Sequence, residues 1–229
     1  MTFSRGTLAV LVVIAAAAAC GRPAPAAART SSGFPAPPVD GALASAPGEA
    51  VAVVAGGCFW GVEAVYRHTR GVTRAVSGYA GGTSETARYE AVSSGITDHA
   101  ESVEVMYDPS VITYGQILRV FFEVAHNPTE LNRQGPDSGR HYRSAIFTVN
   151  AEQTRIAQAY IAQLNSARAF DQPVVTTVSA LPRFYAAEEY HQNYAARHPN
   201  DMYIRINDAP KIEALRQQAP EFFVAPKSQ

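Results

Sequence analysis

The stretch VAVVAGGCFWGVEAVY, Val51 to Tyr66, decides the fold of this chain. The unbroken apolar run Val51 to Ala55 has the length of a buried strand. Gly56 and Gly57 interrupt it, and Phe59, Val62, Val65 and Tyr66 then recur at the spacing of one helix face. A strand that passes through two glycines directly into a helix is the opening of a βα unit. Working outward, alternating or continuous apolar runs predict further strands at Val72 to Tyr79, Ser102 to Tyr107, Ser144 to Val149 and Val174 to Ser179. Thr113 and Gln116 form a capping-box pattern ahead of Tyr114, Ile117, Leu118, Phe121 and Ala125. Asn150 and Gln153 repeat that pattern ahead of Ile156, Tyr160, Ile161 and Leu164. Through Val149 the order is strand, helix, strand, strand, helix, strand. This predicts an α+β fold with a ferredoxin-like split βαβ core, a two-layer sandwich whose helices cover one face of the sheet. Two long glycine-containing connections, 80–100 and 126–143, are candidate functional loops.

The chain of 229 residues is 47% hydrophobic and 17% charged, an ordinary globular mixture with room for one well-buried domain. A formal net charge of −1 supplies no general attraction to nucleic acid. Its first residues read as a targeting segment: Arg5, an apolar core from Leu8 to Ile14, then small residues up to Cys20. The ending AAAC resembles a bacterial lipoprotein signal, with Cys20 as the lipid acceptor. Ala17 stands where that pattern usually carries leucine, so cleavage after an Ala-x-Ala site stays open. The expected organisation is a signal over 1–20, a disordered Ala- and Pro-rich tether over 21–49, a catalytic domain over 50–205 and a tail over 206–229. Export to the periplasm or cell envelope follows, with membrane attachment only through the anchor, and a monomer is expected. Only two cysteines exist, so loss or lipidation of Cys20 leaves Cys58 without an intramolecular partner.

At Cys58 the strand, Gly-Gly and helix context puts a sulfur where unpaired N–H groups and the helix dipole favour an anion, so a lowered thiol pKa is expected. Gly57 allows close approach to the backbone. A buried inert cysteine is the competing reading. Trp60 lies off the apolar stripe of Phe59, and either covers the helix end or lines a pocket beside the sulfur. In DHAESVEVMYDP, alternation sets Glu101 on the side of Val103 and Val105, where burial would raise its pKa and keep a proton on it; the competing reading is a strand that has barely begun at Glu101, with the carboxylate in water. Asp98 and Glu104 read as solvated charges. Turn chemistry alone explains Asp137. His126 and His141 lack partners at metal-ligand spacing and read as solvated or loop-stabilising, and no metal is expected. FYAAEEYHQNY, Phe184 to Tyr194, reads as an aromatic helix with Tyr190 and Tyr194 on one face.

Together, GGCFWGVEAVY at Gly56 to Tyr66, SGYAGG at Ser77 to Gly82, RYEAVSSGITDHAESVEVMYDPSVITY at Arg88 to Tyr114, NRQGPDSGRHYRSAIF at Asn132 to Phe147 and FYAAEEYHQNY resemble the A-type peptide methionine sulfoxide reductases. The resemblance spans about Val51 to Asn200. It implies thiol-dependent reduction of the S-epimer of methionine sulfoxide, in proteins or free, with repair of oxidised proteins as its purpose. By the family's motifs Cys58 is the attacking thiolate, Glu101 the acid, and Tyr89 and Tyr142 donors to the sulfoxide oxygen. Phe59 and Trp60 would hold the methyl group, Asp137 matches a further polar position, and His191 and Tyr194 match a supporting segment. Many members carry resolving cysteines in the tail; here no cysteine follows Cys58. No bound cofactor is implied, and an external thiol, from a thioredoxin-like or glutaredoxin-like protein or a small molecule, would regenerate the enzyme. A thiol peroxidase, a cysteine amidase and a non-enzymatic binding module are the competing classes. The amidase lacks a histidine with sequence context linking it to Cys58, and the peroxidase leaves the aromatic pair and Glu101 without a purpose.

Overall fold

A computed structural model describes residues 1–2 and 33–225. Cys20, most of the expected signal and residues 21–32 lie outside the described residues. The six-stranded sheet contains β1 (Ala50–Ala55), β2 (Val72–Ala80), β3 (Ala100–Tyr107), β4 (Ala145–Thr148), β5 (Thr177–Ala180) and β6 (Phe184–Ala186), in the spatial order β5-β4-β1-β3-β2-β6. The inner order β4-β1-β3-β2 is wholly antiparallel, as a split βαβ core requires. Strand β5 adds parallel to β4, and β6 adds antiparallel to β2.

Helices α1 (Phe59–Arg67), α2 (Tyr114–Val120, continued as a wider turn through Phe121–Ala125) and α3 (Ala151–Ser166) supply the second layer. Residues two apart on β1 separate the core into two parts. Ala52 and Val54 join Phe59, Val62, Val65, Tyr66, Ile117, Leu118 and Tyr160 in the main cluster, while Val53 and Ala55 face Ala80, Ala100, Ala145 and Phe147 in a thinner one. Both expected caps form. Thr113 accepts from the Gln116 N–H with the reciprocal bond present, and Asn150 accepts from the Gln153 N–H at 2.8 Å. Gln153 also donates to the Val51 carbonyl at 2.7 Å, joining α3 to β1.

Two expectations are corrected, and the tail is given a structure. Residues 33–49 are not free tether: Asp40 accepts from the Thr113 hydroxyl and the Gly115 N–H, the Tyr160 hydroxyl donates to the Pro35 carbonyl at 2.6 Å, and Phe34 meets Phe170 edge-on. The side chains that bind this passage are far away in sequence, so composition alone could not reveal the docking. The residues FYAAEEYHQNY form β6, a short helical turn at Glu189–His191 and a left-handed Asn193, not a continuous helix. The tail 206–229 is helical in its described part: α4 (Ala209–Gln218) packs back toward α1 and buries Leu215, with Phe222 also in the core.

Candidate active site

The two glycines ahead of α1 have separate work. A side chain at Gly56 would meet the His126 ring at 2.8 Å, and Gly57, at φ +89°, lies against the stem of Gln134. They deliver Cys58 to the N-cap position of α1, only 8% exposed and as a free thiol. Beneath that first turn lies β3. Its alternation carries Glu101 to the helix-covered face with Val103 and Val105, and the Phe59 N–H donates to Glu101 Oε2 at 3.1 Å. The residue is 3% exposed. Burial, with some repulsion from Asp137, outweighs that hydrogen bond and pushes the Glu101 carboxyl up to about 8. Glu101 is therefore mostly protonated at pH 7.

Cys58 differs from expectation. Its thiol is raised well above the ordinary value, first by burial and then by repulsion from Glu101, which has ionised by the pH at which the thiol titrates, from Asp208 and from Asp137, while a backbone hydrogen bond from Trp60 opposes them. The helix start does favour the anion, but desolvation and nearby carboxylates win. The resting pair is thus a thiol beside a carboxylic acid.

Tyr89 and Tyr142 come from the two long connections and converge on this pair. Both phenols are raised, first by burial and then by the repulsion that Glu101 and Cys58 would exert once ionised, so both keep their protons. Tyr89 stands at the head of a short helical turn, Tyr89–Ser93, where its N–H donates to Glu188 at 2.9 Å. Asp137 belongs to a small hairpin, Arg133–Gln134 with Asp137–Ser138, and accepts from the Tyr203 hydroxyl.

Trp60 is half-buried and held on several sides. Tyr194 stacks on it at 3.8 Å and 10°, Tyr203 meets it edge-on at 5.9 Å, and its indole N–H donates to His191 Nδ1 at 3.2 Å. That bond fixes the neutral His191 with its proton on Nε2, consistent with a pKa lowered by burial. The ring of Phe59 completes the wall, 5.0 Å from His191 and 6.0 Å from Tyr79. Trp60 thus sits inside an aromatic cluster at the start of α1. His126 and His141 are both buried, which excludes the solvated reading. His126, lowered to about 3 by burial, donates from Nδ1 to the Phe121 carbonyl and accepts from Ser144 at Nε2, so it ties its loop down as a neutral ring. Asp98 is an exposed partner of Arg140, as its reading allows. Glu104 is half-buried, and burial raises its carboxyl.

Sequence reasoning missed Glu63, Glu188, Gln192, Tyr203 and Asp208. Buried Glu63 accepts from the Ser77 hydroxyl at 2.8 Å and the Asn193 N–H at 3.0 Å. Gln192 accepts from the Ser77 N–H and donates to the Ser77 and Ala187 carbonyls. Asp208 is fully buried, and its Oδ1 lies 2.1 Å from where a side chain at Gly61 would begin. Gly61 was the available signal: a glycine inside a helical pattern often marks a close neighbour.

A buried thiol, a buried neutral acid, two protonated phenols and an aromatic wall can receive a polar oxygen attached to a sulfur that carries a methyl group. The comparisons agree with that chemistry. The sequence profile of the family described as "Peptide methionine sulfoxide reductase" matches residues 50–222. Peptide methionine sulfoxide reductase MsrA 2 of Mesorhizobium japonicum is 54% identical over 78% of this chain and 92% of its own. The Synechocystis protein of the same name is 52% identical over 76% of this chain and 81% of its own. Among solved structures, methionine sulfoxide reductase A of Corynebacterium diphtheriae superposes with a TM-score of 0.60 at 33% identity, covering 69% of this chain and 78% of that one.

Proposed function

The chain belongs to the peptide methionine sulfoxide reductase family, and we propose that it performs the reaction with Cys58 as nucleophile and Glu101 as acid. It reduces methionine S-sulfoxide to methionine, an oxidoreductase activity that repairs oxidised proteins. The observation that carries the residue assignment is the Phe59 N–H bond to Glu101, which holds a protonated carboxyl beside the cysteine at the start of α1.

In this reading the substrate's methyl group lies against Phe59 and Trp60, and its oxygen accepts from Glu101, Tyr89 and Tyr142. Sulfoxide sulfur becomes a usable electrophile once its oxygen is protonated. Cys58–SH and the sulfoxide become Cys58–SOH and the thioether. One proton leaves sulfur and one arrives on oxygen, with Glu101 as the group that hands it over. Two equivalents of external thiol then return the sulfenic acid to the thiol, releasing water and a disulfide. The absence of any cysteine after Cys58 supports external reduction, by a thioredoxin-like or glutaredoxin-like protein or a small thiol. Asp137, His191 and Tyr194 position the aromatic wall.

The charged and apolar amino-terminal residues support export, with Cys20 as a lipid acceptor; detergent partitioning that is equal for wild type and Cys20→Ala would remove the anchor from this reading. The reaction is tested by turnover of the separated sulfoxide epimers with dithiothreitol in wild type, Cys58→Ser and Glu101→Gln. Turnover of the S-epimer by wild type alone is expected. Equal turnover by Cys58→Ser would exclude the thiol mechanism, and turnover of peroxide alone would favour a peroxidase.

A further inference from the structure

The three methionines are placed very differently. Met1 heads the expected signal. Met106 is half-buried on β3, opposite Val51 on one side and Arg74 on the other. Met202 is 74% exposed, just after an exposed corner at 196–200. The next residue, Tyr203, turns inward to bond Asp137 and to meet the Trp60 ring edge-on. Successive residues of a helical turn point about 100° apart. Met202 therefore faces outward from the same turn that brings Tyr203 against Trp60.

We infer that Met202 is an oxidation site of this protein and that its sulfoxide is a substrate for a second copy of the same chain. The inference rests on the functional reading above. Hydrogen peroxide supplies the first step: the Met202 sulfur takes one peroxide oxygen, the O–O bond breaks, and water leaves. In the second step the Cys58 thiol of another copy takes that oxygen, becoming a sulfenic acid as the thioether is restored. Two equivalents of thiol then return Cys58 to its resting form. Exposure leaves Met202 more open to oxidants than the half-buried Met106, and its place beside an exposed corner leaves it open to the recessed Cys58 of a second molecule.

The test starts with full-length Cys58→Ser protein, treated with hydrogen peroxide and digested so that oxygen gain at Met202 and Met106 is read separately by mass spectrometry. Met202 is expected to gain oxygen several-fold faster. A trace of wild type with dithiothreitol is then expected to remove about half of the oxygen at Met202, the share carried by one epimer. A methionine sulfoxide peptide serves as the parallel substrate. Peptide turnover with no repair of Met202 overturns the inference alone, whereas loss of both overturns the functional reading with it. Equal oxidation of Met106 and Met202 refutes the selectivity. Repair of peroxide-treated wild type at a rate per molecule that is independent of protein concentration would exclude the second copy. Met202→Leu is expected to retain turnover of the peptide.

Discussion

Glu101 holds its proton across a range of pH in which an unfolded glutamate has lost it, and this links the catalytic acid to folding. Its carboxyl titrates near the ordinary 4.5 when unfolded and at about 8 when folded. Between those values the folded state binds more protons, so rising pH withdraws stability, and the loss is complete above about pH 8. Glu101→Gln has no such proton to lose. Its stability relative to wild type, measured by urea unfolding, should climb from pH 4.5 to pH 8 and then level off. A difference independent of pH would show that the carboxyl is not held protonated. The same variant should slow the sulfoxide step by roughly a hundredfold or more, the usual reach of general acid catalysis. Asp208 acts on the other partner. Its charge helps to keep Cys58 a thiol, and it has a buried oxygen without a partner among the described residues. Asp208→Asn should move the midpoint of iodoacetamide labelling at Cys58 to lower pH, and an unmoved midpoint would refute the coupling. Alternation put Glu101 on the covered side of its strand and the glycine pair put Cys58 at a helix start, while the choice of both as reacting groups came from the resemblance to the family. The net ionisation of the thiol was not legible, because it is set first by burial and then by carboxylates brought in by the fold, among them Asp208, which approaches only when the tail turns back over Gly61.

Among the elements, the segment after β6 shows most plainly where sequence patterning stops. Its aromatic residues have helical spacing, yet its polar residues are occupied elsewhere. Glu188 accepts from the Tyr79 hydroxyl and the Tyr89 N–H, Gln192 pairs with the backbone of Ser77, and Glu63 of α1 receives the Asn193 N–H. These bonds hold the chain as a strap that sets His191 and Tyr194 against Trp60. None of the partners is local, so periodicity had no access to them. Glu63→Ala would leave a buried donor at Ser77 unpaired, a loss of about 1–3 kcal/mol before relaxation, and a partly buried one at Asn193, which costs less. The strap should loosen, and Trp60 would lose its stacked support. The expected result is a raised KM for a peptide sulfoxide with a smaller change in kcat, alongside a lower unfolding midpoint. A variant that unfolds earlier yet keeps its KM would assign Glu63 to stability alone.

For the molecule as a whole, the order of strands and helices was legible because each central element satisfies its own local pattern: alternation on β3, a capping box at α2, helical spacing on α1 and α3. The edge strands and the amino-terminal passage depend on what is already assembled. Residues 33–49 dock through Asp40, which occupies the start of α2 by receiving the Thr113 hydroxyl and the Gly115 N–H. The fit is close, since a side chain at Gly115 would lie 2.5 Å from the Asp40 carboxyl carbon. Further bonds run from the Ala44 N–H to the Pro109 carbonyl and from the Gly48 N–H to Asp108. The passage thus joins whatever precedes it to the helix layer, and none of these bonds involves Cys58, Glu101 or the residues around Trp60. Asp40→Ala should therefore separate stability from catalysis. It removes a charged cap from a helix start, expected to cost about 0.5–2 kcal/mol in urea unfolding, while kcat on methionine sulfoxide stays within about twofold of wild type. An unchanged unfolding midpoint would show that the amino-terminal passage is not fastened to the helix layer through Asp40. A large fall in kcat without a change in stability would instead connect the start of α2 to the active site.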